Sequence, residues 1–241
     1  MIRMGYLTVV MGAALLVAAC ATTTNEPVKT AAAGANGSGF LGKDYALLTP
    51  GETSKGQAGL RYYNPATRWA QYSKVMVDPV TFWGDEAGKV PAADQQALSA
   101  YFNTALEKAF KEKFEVVTAP APGVAKLQLA VVDVEAATPG LRTISMVAPQ
   151  ARLLSTVGSA ASGKQVFAGS LQVETRLVDA STGQLLAAAV ARSVGGTSMK
   201  TAAQWQWGDA ENAMNDFSAR AAANLHALTS GSATPAQLPV K

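Results

Sequence analysis

The chain has 241 residues, of which 49% are hydrophobic and 15% are charged, and its formal net charge at pH 7 is +3. This length and apolar content are sufficient for a folded domain with its own hydrophobic core. The small positive excess is spread along the sequence, which excludes the basic face that nucleic-acid binding requires. The single cysteine, Cys20, excludes a disulfide framework within the chain.

The first twenty residues have the features of a bacterial lipoprotein signal peptide. Arg3 provides a positive charge, an almost unbroken apolar run extends from Tyr6 to Val17, and two alanines precede Cys20. The run is too short for a permanent transmembrane helix, and small residues before a cleavage point are typical of a signal peptide that is removed. We therefore predict that residues 1–19 are cleaved. Resemblance to the lipobox pattern implies that Cys20 is then acylated, with palmitate, and anchors the protein in a membrane.

Residues 20–39 are predicted to form a flexible tether after the acylated cysteine. The segment is small, polar and nearly uncharged, so it cannot bury enough apolar surface to offset the entropy cost of ordering. Fully extended, it would reach at most ~65 Å from the membrane surface. Ala21 follows the cysteine, and resemblance to enterobacterial sorting signals places a protein without Asp at this position in the outer membrane, facing the periplasm.

Residues 40–229 are predicted to form the folded domain, and an irregular aromatic-rich segment leads into its first strand, Lys74–Asp78. A helix is predicted over Asp94–Lys113, because its apolar residues recur at the spacing of one helical face. A short strand, Phe114–Thr118, and a longer one, Lys126–Ala136, follow the helix. The longer strand is apolar on both faces, which predicts a central position in a sheet.

For residues 138–164 the sequence predicts only a weak strand, a helical turn and a loop. A hairpin is predicted after this segment, in the second half of the domain. Apolar and polar residues alternate within 171–177, and apolar residues alternate again within 186–190, on either side of the turn Asp179–Gly183. The pattern therefore predicts two antiparallel neighbours in the sheet.

The last predicted element is a helix over Asp209–Leu228, which ends near Gly231. Residues 230–241 are predicted to be a disordered tail. The order of elements predicts a single α+β domain, in which two main helices pack on a mainly antiparallel sheet of four to six strands.

Several stretches of this sequence together carry a family resemblance. They are Gly39–Leu41 (GFL) with Tyr45 and Leu48–Pro50 (LTP), Val75–Trp83 (VMVDPVTFW), Leu127–Ala136, and Gly169–Ala188. The most specific are VDPVTFW and the later LVDASTGQLLAAAV. These residues resemble the bacterial lipoproteins of the domain of unknown function 3313 family over nearly all of residues 38–228. The resemblance implies a lipid-anchored envelope protein, and it brings no established activity with it.

The sequence lacks the residue sets that most catalytic and metal sites need. The one histidine, His226, falls at the edge of the apolar face of the last helix, without a second histidine, a free thiol or a Gly-x-Ser-x-Gly motif. Asp78 and Asp133 would form a catalytic carboxylate pair only if neighbouring strands brought them together. Turns at strand ends are the simpler explanation for both. We therefore predict a protein that is not an enzyme and that uses no cofactor and no metal.

The tryptophans are the best candidates for binding residues. Trp83 lies in a loop bounded by Pro and Gly, and Trp205 and Trp207 precede the last helix. Aromatic side chains in such positions can stack on glycans or anchor a protein partner, although they can equally seal the ends of a core.

Two functions are compatible with these features. The first is a non-enzymatic interaction or accessory module of an envelope assembly, whose partner is an unknown envelope protein. The alternative is a periplasmic lipoprotein that binds a small molecule or a glycan in a cleft under the Trp83 loop. A concave apolar pocket with convergent polar groups would favour the alternative. A flat apolar patch or an open sheet edge would favour the interaction module.

Overall fold

The computed structural model describes residues 24–28, 38–84, 89–135, 170–194 and 207–239. In these ranges the chain forms one nine-stranded sheet and two long helices, α1 (Ala92–Lys111) and α2 (Gly208–Thr229). The predicted α+β class is confirmed. The prediction of four to six mainly antiparallel strands is wrong, because several strands of only two to four residues extend the sheet and some of them pair in parallel.

The strands follow the chain from the N-terminal segment to the hairpin. They are β1 (Thr24–Glu26), β2 (Thr49–Pro50), β3 (Leu60–Tyr63), β4 (Lys74–Val77), β5 (Thr81–Phe82), β6 (Glu115–Val116), β7 (Val124–Glu135), β8 (Ser170–Asp179) and β9 (Leu185–Val194). Their order across the sheet is β2-β3-β9-β8-β7-β4-β6, with β1 beside β9 and β5 beside β7. The pairs β4–β6, β4–β7 and β5–β7 are parallel, and the others are antiparallel.

The long strands β7, β8 and β9 form the centre of the sheet. This confirms the central position predicted for the strand at 126–136, and the predicted hairpin is the antiparallel pair β8–β9. Because successive side chains of a strand point to opposite faces, β7 buries Leu129 and Val131 on one face and Ala130 on the other. The two helices cover the first face. The N-terminal segment from Phe40 to Leu48 covers part of the second.

Helix α1 has the apolar stripe that its sequence predicted. One residue per turn is fully buried against the sheet and α2: Leu98, Phe102, Leu106 and Phe110. The ring of Phe102 meets the ring of Phe217 of α2 edge to face, with centroids 5.8 Å apart. The two helices therefore form one layer above the sheet, joined by this aromatic contact. None of the helices within the described ranges is long and apolar enough to cross a membrane.

Both ends of the predicted domain differ from expectation. Within the segment predicted as a flexible tether, Thr24–Glu26 pairs with β9 as β1. Within the tail predicted to be disordered, Leu238 is buried against Ala227 and Leu228, and the side chain of Gln57 donates a hydrogen bond of 3.1 Å to its carbonyl. Pairing with β9 and burial of a leucine offset the ordering entropy at these places. Residues 138–164, predicted as a weak strand and a loop, lie outside the described residues.

The turn between β8 and β9 is organised by the carboxylate of Asp179. One of its oxygens accepts hydrogen bonds from the Ser181 hydroxyl at 2.7 Å and from the amides of Ser181 and Thr182 at 2.9 and 2.8 Å. The other accepts the Tyr72 hydroxyl at 3.0 Å. Burial by itself raises the pKa of Asp179, but these hydrogen bonds outweigh it and lower the pKa to about 2.

Loss of this carboxylate is expected to destabilise the domain. Because the pKa of Asp179 is lowered in the folded state, its contribution is complete above the unfolded pKa of about 4 and is lost as the pH falls towards 2. We expect Asp179→Asn to lower the free energy of unfolding at pH 7 by about 1–3 kcal/mol. Urea unfolding at a series of pH values should show this difference shrinking below pH 4. The exposed Glu112→Gln is the control, and a difference of equal size at pH 2 would contradict the prediction.

Candidate functional site

A cleft lies between α2 and the face of the sheet beneath it. The strand β9 presents Ala187, Ala189 and Ala191 to this face, and Phe217 and Ala221 of α2 lie across from them. Because an alanine side chain is a single methyl group, the strand and the helix do not fill the space between them. The result is a cavity of about 160 Å³, which we call the alanine cleft.

The rest of the alanine cleft is lined mainly by apolar side chains. They come from α1, α2, the central strands and the segment before β4: Trp69, Phe110, Leu127, Leu177, Leu225 and Leu228. Leu238 and Pro239, near the C-terminus, and the loop at 56–58 also belong to the lining. An engineered apolar cavity of about 150 Å³ accepts a benzene molecule, so the alanine cleft is large enough for a small apolar group.

Several polar side chains also line this apolar cleft. Arg61 and Thr175 flank Ala189 on the two neighbouring strands, because both are paired with it in register. Tyr63 occupies the equivalent place beside Ala187, and Arg220 extends from α2. The hydroxyl of Thr175 is buried and has no hydrogen-bond partner in the part of the chain that is described. The cleft therefore combines an apolar body with hydrogen-bond donors.

The electrostatic character of the alanine cleft is positive. Arg61 donates a hydrogen bond of 3.3 Å to the carbonyl of Pro235, and Arg220 donates one of 3.3 Å to the side-chain oxygen of Asn25. No aspartate or glutamate is among the described residues that line the cleft. Burial raises the pKa of Tyr63, although Arg61 opposes this rise, so the tyrosine hydroxyl keeps its proton and can donate.

A second group of polar side chains is buried on the opposite face of the sheet. The carboxylate of Glu174 is fully buried and accepts hydrogen bonds from the hydroxyls of Tyr45 and of Ser38, the latter at 2.8 Å. Arg176, which is two residues after Glu174 on β8, forms an ion pair of 2.8 Å with the buried Asp44. Burial and, after it, the hydrogen bond to Glu174 raise the pKa of Tyr45 far above its ordinary value. These contacts fasten the segment 38–48 to the sheet.

The structure separates the residues that the sequence singled out for binding. Trp83 is 44% exposed, its ring packs edge to face on Phe40 at 5.8 Å, and it does not line the alanine cleft. Trp207 is 6% exposed and belongs to the main core. Trp205 and Cys20 lie outside the described residues. A binding role for the tryptophans and acylation of Cys20 stay predictions.

The polar residues weighed as catalytic candidates do not form one site. Asp78 lies beside Gln128 of β7 and accepts a hydrogen bond of 2.9 Å from its side chain. Asp133 lies on β7 five residues after Gln128. At the rise of a β-strand, this separation puts roughly 16 Å between Asp133 and Asp78. His226 is exposed on α2, and its ring lies 6.0 Å from that of Phe114. Neighbouring strands therefore do not bring the two carboxylates together.

The residues that form the alanine cleft were missed in the sequence. One signal was present, the run LLAAAVA at 185–191, because alanine is uncommon in strands and leaves space on the face of a sheet. Arg61 and Arg220 gave no signal, since single arginines occur on the surface of most proteins.

Comparison with solved structures gives distant similarities. Two dodecamer structures of PelC from Paraburkholderia phytofirmans, one of them of a variant with a single substitution, are each 14% identical, with a TM-score of 0.38. Each comparison covers 69% of this chain, and 93% or 94% of the PelC chain. Protein XCC0632 from Xanthomonas campestris, of family DUF330, is 16% identical with a TM-score of 0.36, over 70% of this chain and 91% of its own.

Comparison with curated proteins gives no match. The model of one protein family matches residues 36–221, which is most of the chain. That family is described as a protein of unknown function, DUF3313. It is the family that the stretches from Gly39 to Ala188 resemble. The chain therefore belongs to the DUF3313 family.

Proposed function

We propose that this chain is a lipid-anchored, non-enzymatic protein of the bacterial envelope, facing the periplasm, whose folded domain binds a small apolar molecule in the alanine cleft. One observation carries the proposal: an apolar concavity on which Arg61, Tyr63, Thr175 and Arg220 converge. Small-molecule sites have this composition, with a mostly apolar lining and a few polar groups that orient the ligand. Of the two functions compatible with the sequence, the cleft favours the binding protein.

The surface supports the interaction module less well. Within the described ranges, the strands that pair on one side only, β1, β2, β5 and β6, have two or three residues each, and such short edges offer little backbone to a partner strand. The large apolar side chains that are well exposed within the described ranges are Leu47 and Trp83. Two exposed side chains are fewer than the broad apolar patch that protein partners usually need.

Filling the alanine cleft is expected to abolish binding. We expect 1-octanol and octanoate, which have eight carbons each, to bind the mature chain saturably and to shift the amide resonances of β9 and α2. The protein would carry Cys20→Ser, so that no acyl chain competes. Ala189→Leu places three more carbon atoms at the centre of the cleft and should weaken binding at least ~10-fold, the loss that a displaced apolar contact predicts.

Ala100→Leu is the matched control, because it adds the same atoms at an exposed position of α1. It should leave binding unchanged. Thermal unfolding by circular dichroism checks that both variants are folded. The proposed function would be refuted if neither probe binds saturably, or if a folded Ala189→Leu protein binds both probes as well as the parent does.

A further inference from the structure

The chemistry of the ligand follows from the charges around the alanine cleft, provided that the cleft binds a ligand as proposed. Two guanidinium groups belong to its lining, and no carboxylate among the described residues accompanies them there. An apolar cavity with an uncompensated cation at its wall attracts a molecule that has an apolar body and a negative head group.

The two arginines differ in how far their charge is already balanced. Burial lowers the pKa of Arg220, and the carboxylate of Asp216, one turn away on the same face of α2, opposes part of this effect. Arg61 has a carbonyl oxygen as its hydrogen-bond acceptor. Arg61 is therefore the cation that would gain most from an anionic partner, because a charge-assisted hydrogen bond is stronger than one to a neutral carbonyl.

The position of Arg61 gives the ligand an orientation. Arg61 is paired in register with Ala189, at the middle of the alanine face. The hydroxyl of Thr175 lies on the other side of the same alanine, and Phe217 and Leu225 bound the apolar part. We propose that the cleft binds a single-chain anionic amphiphile, a fatty acid of about six to ten carbons, with its carboxylate at Arg61 and its chain against Ala189 and Phe217.

Three probes with the same eight-carbon chain test the head group: octanoate, 1-octanol and octylammonium. We expect octanoate to bind about 10- to 100-fold more tightly than 1-octanol, as a charge-assisted hydrogen bond predicts. Octylammonium should bind most weakly. In Arg61→Gln the advantage of octanoate over 1-octanol should disappear. Arg68→Gln, which changes an exposed arginine outside the cleft, should keep the full advantage.

The outcomes separate this inference from the proposed function. Equal binding of octanoate and 1-octanol, with both lost in Ala189→Leu, would overturn the anionic ligand and leave the small-molecule site standing. An octanoate advantage that survives in a folded Arg61→Gln protein would overturn the assignment of Arg61. Absence of saturable binding by all three probes would overturn both the inference and the proposed function.

Discussion

Replacement of Phe102 by alanine is expected to lower the free energy of unfolding by about 3–5 kcal/mol. The side chain is 0% exposed and lies where α1 meets the ring of Phe217 of α2. Alanine would remove the aromatic ring and leave a cavity that two rigid helices cannot close. Urea unfolding, monitored by circular dichroism, should show this loss as a lower urea concentration at the midpoint, with an unchanged dependence of the unfolding free energy on urea.

Lys108→Ala is the control for this change, because Lys108 is exposed on the same helix. Its effect should stay within about 0.5 kcal/mol. If the two substitutions cost the same, the buried face of α1 has been assigned incorrectly.

Substitution of Cys20 by serine is expected to move the protein from the membrane fraction to the soluble periplasm. Each buried methylene of an acyl chain contributes about 0.8 kcal/mol, and two or more chains hold a protein firmly where one does not. Serine offers no sulfur for acylation, so the whole contribution is lost. Cell fractionation followed by immunoblotting gives the distribution directly.

Thr22→Ser is the matched control, because it alters the same segment and keeps the cysteine. It should leave the protein with the membranes. A Cys20→Ser protein that still sediments with the membranes would disprove acylation at Cys20 as the anchor.

Elements with long, regular apolar patterns could be predicted from the sequence. The predicted helix Asp94–Lys113 differs from α1 by two residues at each end, and the hairpin around Asp179 was found with its turn. Local periodicity specifies these elements. The strand β3 (Leu60–Tyr63) was missed, because four residues carry little pattern and its pairing with β9, far along the chain, holds it in place.

The candidate site could be predicted much less well than the fold. The run of alanines in β9 is visible in the sequence, but it lines a cleft only because α2 lies across that face of the sheet. Arg61 belongs to the cleft through its register with Ala189. Both facts come from tertiary packing, which a single sequence does not encode as a local pattern. The tryptophans are conspicuous in the sequence, yet Trp207 is part of the core.

The short strand β1 has a consequence for the height of the domain above the bilayer. Thr24 is paired with Val194 of β9, and it follows Cys20, the proposed site of acylation, so closely in the chain that the two are at most ~14 Å apart. An anchored domain would then rest close to the lipid head groups, with the end of β9 turned towards them. Asn25 of β1 also lines the alanine cleft. A lipid-like ligand would therefore have only a short way to travel between the bilayer and the cleft.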